Sequence, residues 1–362
     1  MPHRTMIKLL IVDDSALMRR QLMTLFQAEG DFDIRQARNG AEAVRENLEF
    51  QPEVVTLDIN MPEMDGLTAL SLIMAERPVA VVMVSSLTEQ GALATFEALN
   101  LGAVDYIAKP GGTISLSISK ITEELVDKVR AAARARVKSK GSTPSAAVRR
   151  IQEERKKATA AFSLAAQSRV AAEGLLVIGA STGGPRALEI VLSGLPANFP
   201  WPVLVAQHMP AAFTRAFSER LDQCCALHVT EVARPLPVEA GTIYIGRGGA
   251  DMLLTSRGGK LTIMPAPENP HYHWHPSVEL LGRSVLQHYD PKRVTAVLLT
   301  GMGYDGSDAF TEIKKRGGRT IAESEESAVV YGMPAELVGK GGASLVLAAE
   351  QVAAQVASWA GR

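Results

Sequence analysis

The sequence contains little cysteine and no long apolar run. Its two cysteines, Cys224 and Cys225, are adjacent. Adjacent cysteines close a disulfide only with strain, so both are expected to be reduced thiols in a cytoplasmic protein. No stretch approaches the roughly eighteen apolar residues of a membrane span, and residues 1–8 lack the apolar core and cleavage site of a signal peptide. We therefore expect no membrane insertion.

The sequence also lacks an excess of either charge. It carries 38 basic and 39 acidic side chains, for a formal net charge of −1, so it gives no sign of a nucleic-acid partner. Apolar residues make up 46% of the 362 residues, which is enough for the cores of two domains of ordinary size.

The first third of the chain alternates short apolar runs with amphipathic stretches of helical length. Four runs rich in Val and Ile and almost uncharged are 7–12, 54–57, 79–84 and 104–107, and a weaker strand is expected near 32–36. The helical stretches are 16–28, 41–49, 67–75 and 90–100. Uncharged runs of this kind are typical of parallel strands buried on both faces. The alternation predicts a doubly wound α/β fold, in which sites form beyond the carboxyl ends of the strands.

Charged residues stand at several of these strand ends. Asp13 and Asp14 follow the first strand, Asp58 ends the third and Lys109 follows the fifth. Three carboxylates at one edge would repel each other if they served structure alone. Mg²⁺ prefers such oxygen ligands, and with Mg²⁺ bound one aspartate can attack phosphorus.

Residues 7–129 resemble the response-regulator receiver family, which has a flavodoxin-like fold. The matching motifs are Val12-Asp13-Asp14-Ser15, Leu57-Asp58-Ile59-Asn60-Met61-Pro62, Met64-Asp65-Gly66 and Ala108-Lys109-Pro110. The resemblance implies that Asp58 accepts the phosphoryl group. It also implies that Asp13, Asp14, Asp58 and the carbonyl of Asn60 hold Mg²⁺.

The same resemblance assigns the receiver's switch residues. Lys109 would pair with the phosphoryl oxygens, and Tyr106 stands where the family has its switch aromatic. Ser85 would be the hydroxyl that follows the phosphate, although the neighbouring Ser86 leaves the register open.

A segment without strand signals separates two domains, so we expect a receiver over 5–130, a linker over 131–173 and a second domain over 174–362. The segment contains a Lys/Arg-rich patch, the run 141–145 (Gly-Ser-Thr-Pro-Ser) and a charged run over 149–157. The basic patch also fits a nucleic-acid-binding tail. A solvated linker is favoured because no aromatic residues are interleaved.

The second domain opens with an apolar strand, 175–178, that leads into Gly179-Ala180-Ser181-Thr182-Gly183-Gly184 and then a helix. A glycine-rich turn of this kind could bind a dinucleotide, but its spacing does not match G-x-G-x-x-G. The alternative is G-x-S-x-G, which exposes a serine on a tight strand-to-helix turn.

Two further residues could activate that serine. The strand 202–206 leads to His208, and the strand 294–299 leads to a glycine-rich loop that contains Asp305. Ser181, His208 and Asp305 are thus expected at one edge of a parallel sheet, as nucleophile, general base and the carboxylate that orients the base. Their order along the chain differs from that of the α/β-hydrolases.

Residues 174–362 resemble the catalytic domain of the chemotaxis protein-glutamate methylesterases, a Rossmann-like fold. The matching motifs are Ile178–Pro185, Gln207-His208-Met209-Pro210, Leu299-Thr300-Gly301-Met302-Gly303 and Val330-Tyr331-Gly332-Met333-Pro334. The family's triad falls on Ser181, His208 and Asp305. A backbone N–H of Met302 would serve the oxyanion, Thr182 would help to orient the histidine, and no cofactor is expected in this domain.

One stretch departs from the family pattern H-R-P-S-V-D. It reads Trp274-His275-Pro276-Ser277-Val278-Glu279, preceded by His271-Tyr272-His273. We expect the change to affect substrate contacts rather than the triad. On a strand, the alternate histidines would share one face, which leaves a metal site open, although no acidic or cysteine ligand accompanies them.

The two resemblances together imply a regulated enzyme. A chemotaxis-type histidine kinase would phosphorylate Asp58, and the receiver, which otherwise covers the catalytic cleft, would shift. Ser181 would then demethylate glutamate methyl esters of methyl-accepting chemoreceptors, and the same site could deamidate receptor glutamine. The alternatives are a non-catalytic response regulator whose second domain only binds a partner and a receiver-controlled transcription factor. The neutral charge and the lack of a helix-turn-helix pattern argue against the latter.

Overall fold

The computed structural model describes residues 6–85, 88–109, 118–135 and 174–361. The chain divides into two compact units, residues 1–141 and 142–362. The division falls inside the predicted linker, of which only 131–135 are described. The bounds of that linker therefore stay a prediction.

The first unit alternates strands with helices. Its elements are β1 (Ile7–Val12), α1 (Ala16–Glu29), β2 (Phe32–Ala37), α2 (Gly40–Glu49), β3 (Val54–Asp58), α3 (Gly66–Glu76), β4 (Ala80–Ser85), α4 (Glu89–Leu101), β5 (Asp105–Ala108) and α5 (Ile118–Ala133). Among the described residues, five parallel strands form one sheet in the order β2-β1-β3-β4-β5. This is the flavodoxin-like order, and the strand bounds lie within one residue of those predicted.

The turn after β3 shows why the M-D-G motif is needed. Asp65 caps α3 by accepting the N–H of Thr68 at 2.7 Å. A Cβ on Gly66 would collide with the carbonyl oxygen of Asp58. Only glycine therefore allows α3 to begin directly against the end of β3, and this contact fixes the backbone that carries Asp58.

The second unit continues the βα alternation, with a small antiparallel insertion. Its elements are β6 (Leu175–Ala180), α6 (Gly184–Ser193), β7 (Val203–Gln207), α7 (Ala211–Cys224), β8 (His228–Val232), β9 (Leu236–Pro237), β10 (Thr242–Gly246), β11 (Asp251–Arg257), β12 (Lys260–Ala266), α8 (Val278–His288), β13 (Val294–Leu298), α9 (Ser307–Lys315), β14 (Arg319–Glu323), α10 (Met333–Gly339), β15 (Leu345–Leu347) and α11 (Ala349–Ala360). A short 3₁₀ turn, Pro291–Arg293, precedes β13. No helix in the described part of the chain is long and apolar enough to cross a membrane.

The described residues of the second unit place β6 at the centre of a seven-stranded parallel sheet, ordered β15-β14-β13-β6-β7-β10-β8. Strands β9, β11 and β12 form a separate antiparallel sheet. From β6 the chain builds one half of the large sheet outward through β7 and the other half through β13. The strand order therefore reverses at β6, and open α/β sheets form their crevice at such a point. The predicted fold class, two doubly wound parallel-sheet domains, is confirmed.

Candidate active site

The three residues of the predicted triad follow three neighbouring strands. Ser181 comes directly after β6, and His208 comes directly after β7. Asp305 lies in the loop that follows β13, and both β7 and β13 pair with β6. Because all three strands run in the same direction, their carboxyl ends bring the three residues to one edge of the sheet.

Ser181 is held on a tight turn. Its N–H donates to the carbonyl of Thr300 at 3.0 Å, and its carbonyl accepts the side-chain amide of Gln207 at 3.0 Å. Gly183 has a φ of 77°, a conformation that favours glycine. A Cβ on Gly184 would collide with the Gln207 side chain. The two glycines therefore let the chain turn into α6 directly behind the serine.

His208 and Asp305 form a buried pair. Nε2 of His208 lies 2.8 Å from Oδ2 of Asp305, and their side chains are 8% and 3% exposed. Among the described residues, Nδ1 of His208 is buried and has no hydrogen-bond partner. The ring is therefore oriented by its Nε2 contact, and Nδ1 remains open to a further group.

The Asp305 carboxylate also lies at the amino end of α8. It accepts the N–H groups of Val278 at 2.6 Å and Glu279 at 3.0 Å, and the hydroxyl of Ser277 at 3.0 Å. Burial by itself would raise the pKa of Asp305, but the hydrogen bond and charge of His208, together with these N–H groups, lower it below its ordinary value. Asp305 is therefore held as a carboxylate beside the imidazole.

The loop after β13 passes very close to the serine. A Cβ on Gly301 would lie 2.7 Å from Cβ of Ser181 and would also collide with Met333. The N–H of Gly301 donates to the carbonyl of Val330 at 3.0 Å. No backbone hydrogen bond found among the described residues uses the N–H of the next residue, Met302. That N–H remains available to an oxyanion.

Thr300 and Glu323 support this loop, and neither role was predicted from the sequence. Glu323, the last residue of β14, is 1% exposed and accepts the N–H of Thr300 at 2.7 Å. The hydroxyl of Thr300 donates to the carbonyl of Thr182 at 2.9 Å. A charged residue at the end of a buried strand was the available signal for Glu323.

The side chain of Thr182, expected to orient the histidine, makes no hydrogen bond to His208 within the described residues. Its hydroxyl oxygen is buried without a partner. Its contribution to the site in this structure is its backbone carbonyl.

The departure from the family pattern reaches the triad, contrary to expectation. The ring of Trp274 stacks on that of His208, with 5.5 Å between the centroids and 4° between the planes. In the same stretch Ser277, which matches the pattern, caps α8 and donates to Asp305. The expectation that this stretch affects substrate contacts alone was wrong, because the loop before α8 packs against His208 and Asp305.

The alternate histidines do not lie on a strand. Residues 267–277 form an irregular loop between β12 and α8. His271 and His273 are exposed, whereas Nδ1 of His275 lies 2.9 Å from the buried Asp251. In the described part of the chain, the cluster found with metal-ligand spacing is Asp13, Asp14 and Asp58. The one-face arrangement, and the metal site that depended on it, are therefore not supported.

The receiver's acidic cluster has the geometry of a divalent-cation site. Asp13, Asp14 and Asp58 each offer a carboxylate oxygen, and these atoms lie within 4.8 Å of one another. Nζ of Lys109 lies 2.6 Å from Asp58 and 3.0 Å from Asp13. The backbone N–H of Asn60 donates to Asp58 at 3.3 Å. This oxygen-only donor set fits Mg²⁺.

Charge and burial oppose each other at Asp58. Burial raises the pKa of Asp58 above its ordinary value and the charge of Asp13 adds to this, against the lowering effect of Lys109. Burial would lower the pKa of Lys109, but its contacts with the two aspartates raise it above its ordinary value. Lys109 therefore stays charged between the two carboxylates.

The two predicted switch residues lie on β4, which pairs with the strand of Asp58, and on β5, one strand further out. Ser85 ends β4, is buried, and donates from its hydroxyl to the carbonyl of Gly91 at 3.2 Å. Tyr106 lies in β5 with 2% of its surface exposed, and the Lys128 ammonium lies 5.3 Å from its ring centroid. Ser86, the alternative in the predicted register, lies outside the described residues.

Comparisons with known proteins agree with both motif sets. Residues 176–356 match the model of the CheB methylesterase family, and residues 9–118 match that of the response regulator receiver domain. A protein-glutamate methylesterase/protein-glutamine glutaminase of Rhodospirillum rubrum is 52% identical over 359 residues, covering 99% of this chain and 97% of the relative. A protein of the same description from Rhodopseudomonas palustris is 53% identical over 359 residues, covering 98% of each.

A solved structure supports the same assignment. The CheB methylesterase catalytic domain of Thermotoga maritima is 35% identical, with a TM-score of 0.50, and the match covers 51% of this chain and 98% of that domain. The fold, the motifs and these relatives agree over nearly the whole chain. The chain therefore belongs to the CheB methylesterase family, in the form that carries a response regulator receiver domain ahead of the catalytic domain.

Proposed function

We propose that this protein is a phosphorylation-activated protein-glutamate methylesterase, with protein-glutamine glutaminase activity at the same site. Its substrates would be methylated glutamates and glutamines of chemoreceptors, and a chemotaxis-type histidine kinase in the cytoplasm would supply the phosphoryl group. The observation that carries the proposal is the buried His208–Asp305 pair at the same sheet edge as Ser181, which is itself 7% exposed on its tight turn. The names of the full-length relatives support the choice of substrate.

In the proposed reaction, Oγ of Ser181 attacks the carbonyl carbon of a glutamate γ-methyl ester. Nδ1 of His208 takes the serine proton, and Asp305 stabilises the imidazolium that forms. The N–H of Met302 stabilises the tetrahedral oxyanion. When that intermediate collapses, the bond to the methoxy group breaks and His208 returns its proton to give methanol.

Water then completes the cycle. His208 takes a proton from the water that attacks the acyl-enzyme, and returns it to Ser181 as the glutamate carboxylate leaves. A glutamine side-chain amide would pass through the same kind of tetrahedral intermediate, and it would release ammonia at the step where the ester releases methanol. One site would thus serve both demethylation and deamidation.

In the receiver, Asp58 would accept the phosphoryl group. Asp13, Asp14 and the carbonyl of Asn60 would hold Mg²⁺ together with Asp58, and the ion would neutralise charge on the phosphoryl oxygens. Lys109 lies within 2.6 Å of Asp58 and would pair with one of these oxygens. Ser85 and Tyr106 would change conformation when Asp58 is phosphorylated, and they would transmit this effect from the end of β3 to the rest of the receiver.

Methanol release tests the proposal. Chemoreceptor membranes bearing labelled methyl groups are incubated with the full-length protein, with and without a small phosphodonor. We expect labelled methanol, released faster with the phosphodonor than without it. Membranes that keep their label under both conditions would contradict the proposed substrate.

A further inference from the structure

The indole of Trp274 covers one face of the candidate general base. Its plane is within 4° of the His208 ring, and the centroids are 5.5 Å apart. These values fall in the range of offset-stacked aromatic pairs. Trp274 is half-buried and lies in the irregular loop before α8, so it is not part of the packed core of the unit.

The same indole contacts the loop of the candidate oxyanion donor. Gly303 has a φ of 82°, and a Cβ there would lie 2.7 Å from the Trp274 ring. Tyr304 meets Trp274 edge-on, with 5.4 Å between the centroids and 82° between the planes. Trp274 therefore packs on the residue that follows Met302 as well as on His208.

The backbone around Trp274 is anchored on both sides. The buried Asp251 accepts the N–H of Asn269 at 2.8 Å on one side. On the other side it accepts from Nδ1 of His275 and the N–H of Ser277, each at 2.9 Å. Because the Asp251 carboxylate binds groups on both sides of Trp274, the loop is anchored and the indole stays in a fixed position against the His208 ring.

We propose that Trp274 is a positioning residue that orients the His208 imidazole relative to the Met302 loop, an inference that rests on the proposed function. The flat indole restricts rotation of the imidazole about its Cβ–Cγ bond, so the ring keeps its Nε2 contact with Asp305 and leaves Nδ1 free to take the Ser181 proton. The face of an indole also attracts a cation within about 6 Å of its centroid. The indole therefore stabilises the imidazolium that forms as Ser181 attacks. It stabilises the transition state more than the bound ester.

The test compares the full-length protein, activated with a small phosphodonor, with its Trp274 variants. The probe is a receptor-derived helical peptide that carries one glutamate γ-methyl ester. We expect Trp274→Leu to lower kcat by about tenfold, the size of a partly desolvated cation–π contact, with KM little changed. Trp274→Phe keeps a flat ring and should recover most of kcat. Trp274→Met is a second non-aromatic variant if the leucine variant does not fold.

Two further variants make the result specific. Trp359→Leu removes a half-buried indole on α11 that packs against Arg319, and should leave kcat unchanged. Ser181→Ala measures the activity that does not depend on the proposed nucleophile. An inactive Ser181→Ala together with a full kcat in the non-aromatic Trp274 variants would overturn the inference and leave the proposed function intact. Phenylalanine no better than leucine, or a loss confined to KM, would also overturn it, and an active Ser181→Ala would overturn both proposals.

Discussion

His208 contacts Asp305 through Nε2, at 2.8 Å. An ionised carboxylate only accepts hydrogen bonds, so the neutral imidazole must carry its proton on Nε2. Nδ1 is then the nitrogen that can take the Ser181 proton. In the usual Ser-His-Asp template the two nitrogens have the opposite roles.

This orientation predicts the tautomer of the resting enzyme. The ¹⁵N shifts of the His208 ring, assigned by comparison with a His208→Gln variant, should be those of the Nε2–H form. The contact with Asp305 does not involve Ser181, so Ser181→Ala should show the same form. A resting ring protonated on Nδ1 would show that the contact with Asp305 has been assigned to the wrong nitrogen.

The lowered pKa of Asp305 predicts how stability depends on pH. Its pKa is below the ordinary value in the folded protein, so its contribution to the free energy of unfolding is complete above the unfolded value of about 3.9. That contribution is lost as the pH falls through the folded pKa. Between pH 6 and pH 3, urea denaturation should therefore show a larger loss of stability for the wild type than for Asp305→Asn. Ser181→Ala keeps the His208–Asp305 pair and should follow the wild type. If the free energy of unfolding falls equally with pH in all three proteins, the Asp305 carboxylate is not stabilised by folding.

Asp58 is predicted to be the phosphoryl acceptor. Asp58→Asn should abolish acid-labile labelling from a small phosphodonor, because the carboxylate proposed to accept the phosphoryl group is gone. Asp13→Asn should weaken the Mg²⁺ dependence of labelling. Asp33→Asn, an exposed residue on β2, is the matched control and should label normally, whereas wild-type labelling of Asp58→Asn would place the acceptor elsewhere.

Regulation by the receiver predicts the behaviour of a fragment. The second unit has its own seven-stranded sheet and buried core, so a fragment that begins near residue 174 should fold. If the unphosphorylated receiver inhibits it in cis at a high effective concentration, the fragment should be faster than the unphosphorylated full chain and indifferent to phosphodonor. Initial rates at equal concentration measure this. A folded fragment no faster than the full chain would instead favour activation by recruitment to the receptor.

The fold was predictable because its signals are local. The strands β1, β3, β4 and β5 are short apolar runs, β2 is a weaker one, and the bounds of all five were predicted to within one residue. The positions of Ser181, His208 and Asp305 followed from one rule about strand ends, and the comparisons confirm the family to which the motifs pointed. The assignment of these residues to catalysis stays a prediction.

The contacts around the triad were not predictable because they join distant parts of the chain. The loop that carries Trp274 has no sequence periodicity. The stacking of Trp274 on His208 depends on the hydrogen bonds by which Asp251 anchors this loop. The histidine spacing suggested a strand, but an irregular loop stands there. Glu323 supports Thr300 across 23 residues of sequence, and no motif relates the two.

The assignment of Ser181 as the nucleophile is decided by the rate of methanol release by Ser181→Ala. The variant should lose about 10⁴-fold or more in rate, and adding His208→Ala should cost little further, because members of a triad act as a unit. Phosphorylation of its receiver should be unaffected. Ser193→Ala is the matched control and should keep full activity, because the hydroxyl that it removes donates, within the described residues, to the nearby carbonyl of Ile190 at the end of α6. Methanol release by Ser181→Ala at a substantial fraction of the wild-type rate would show that another group is the nucleophile.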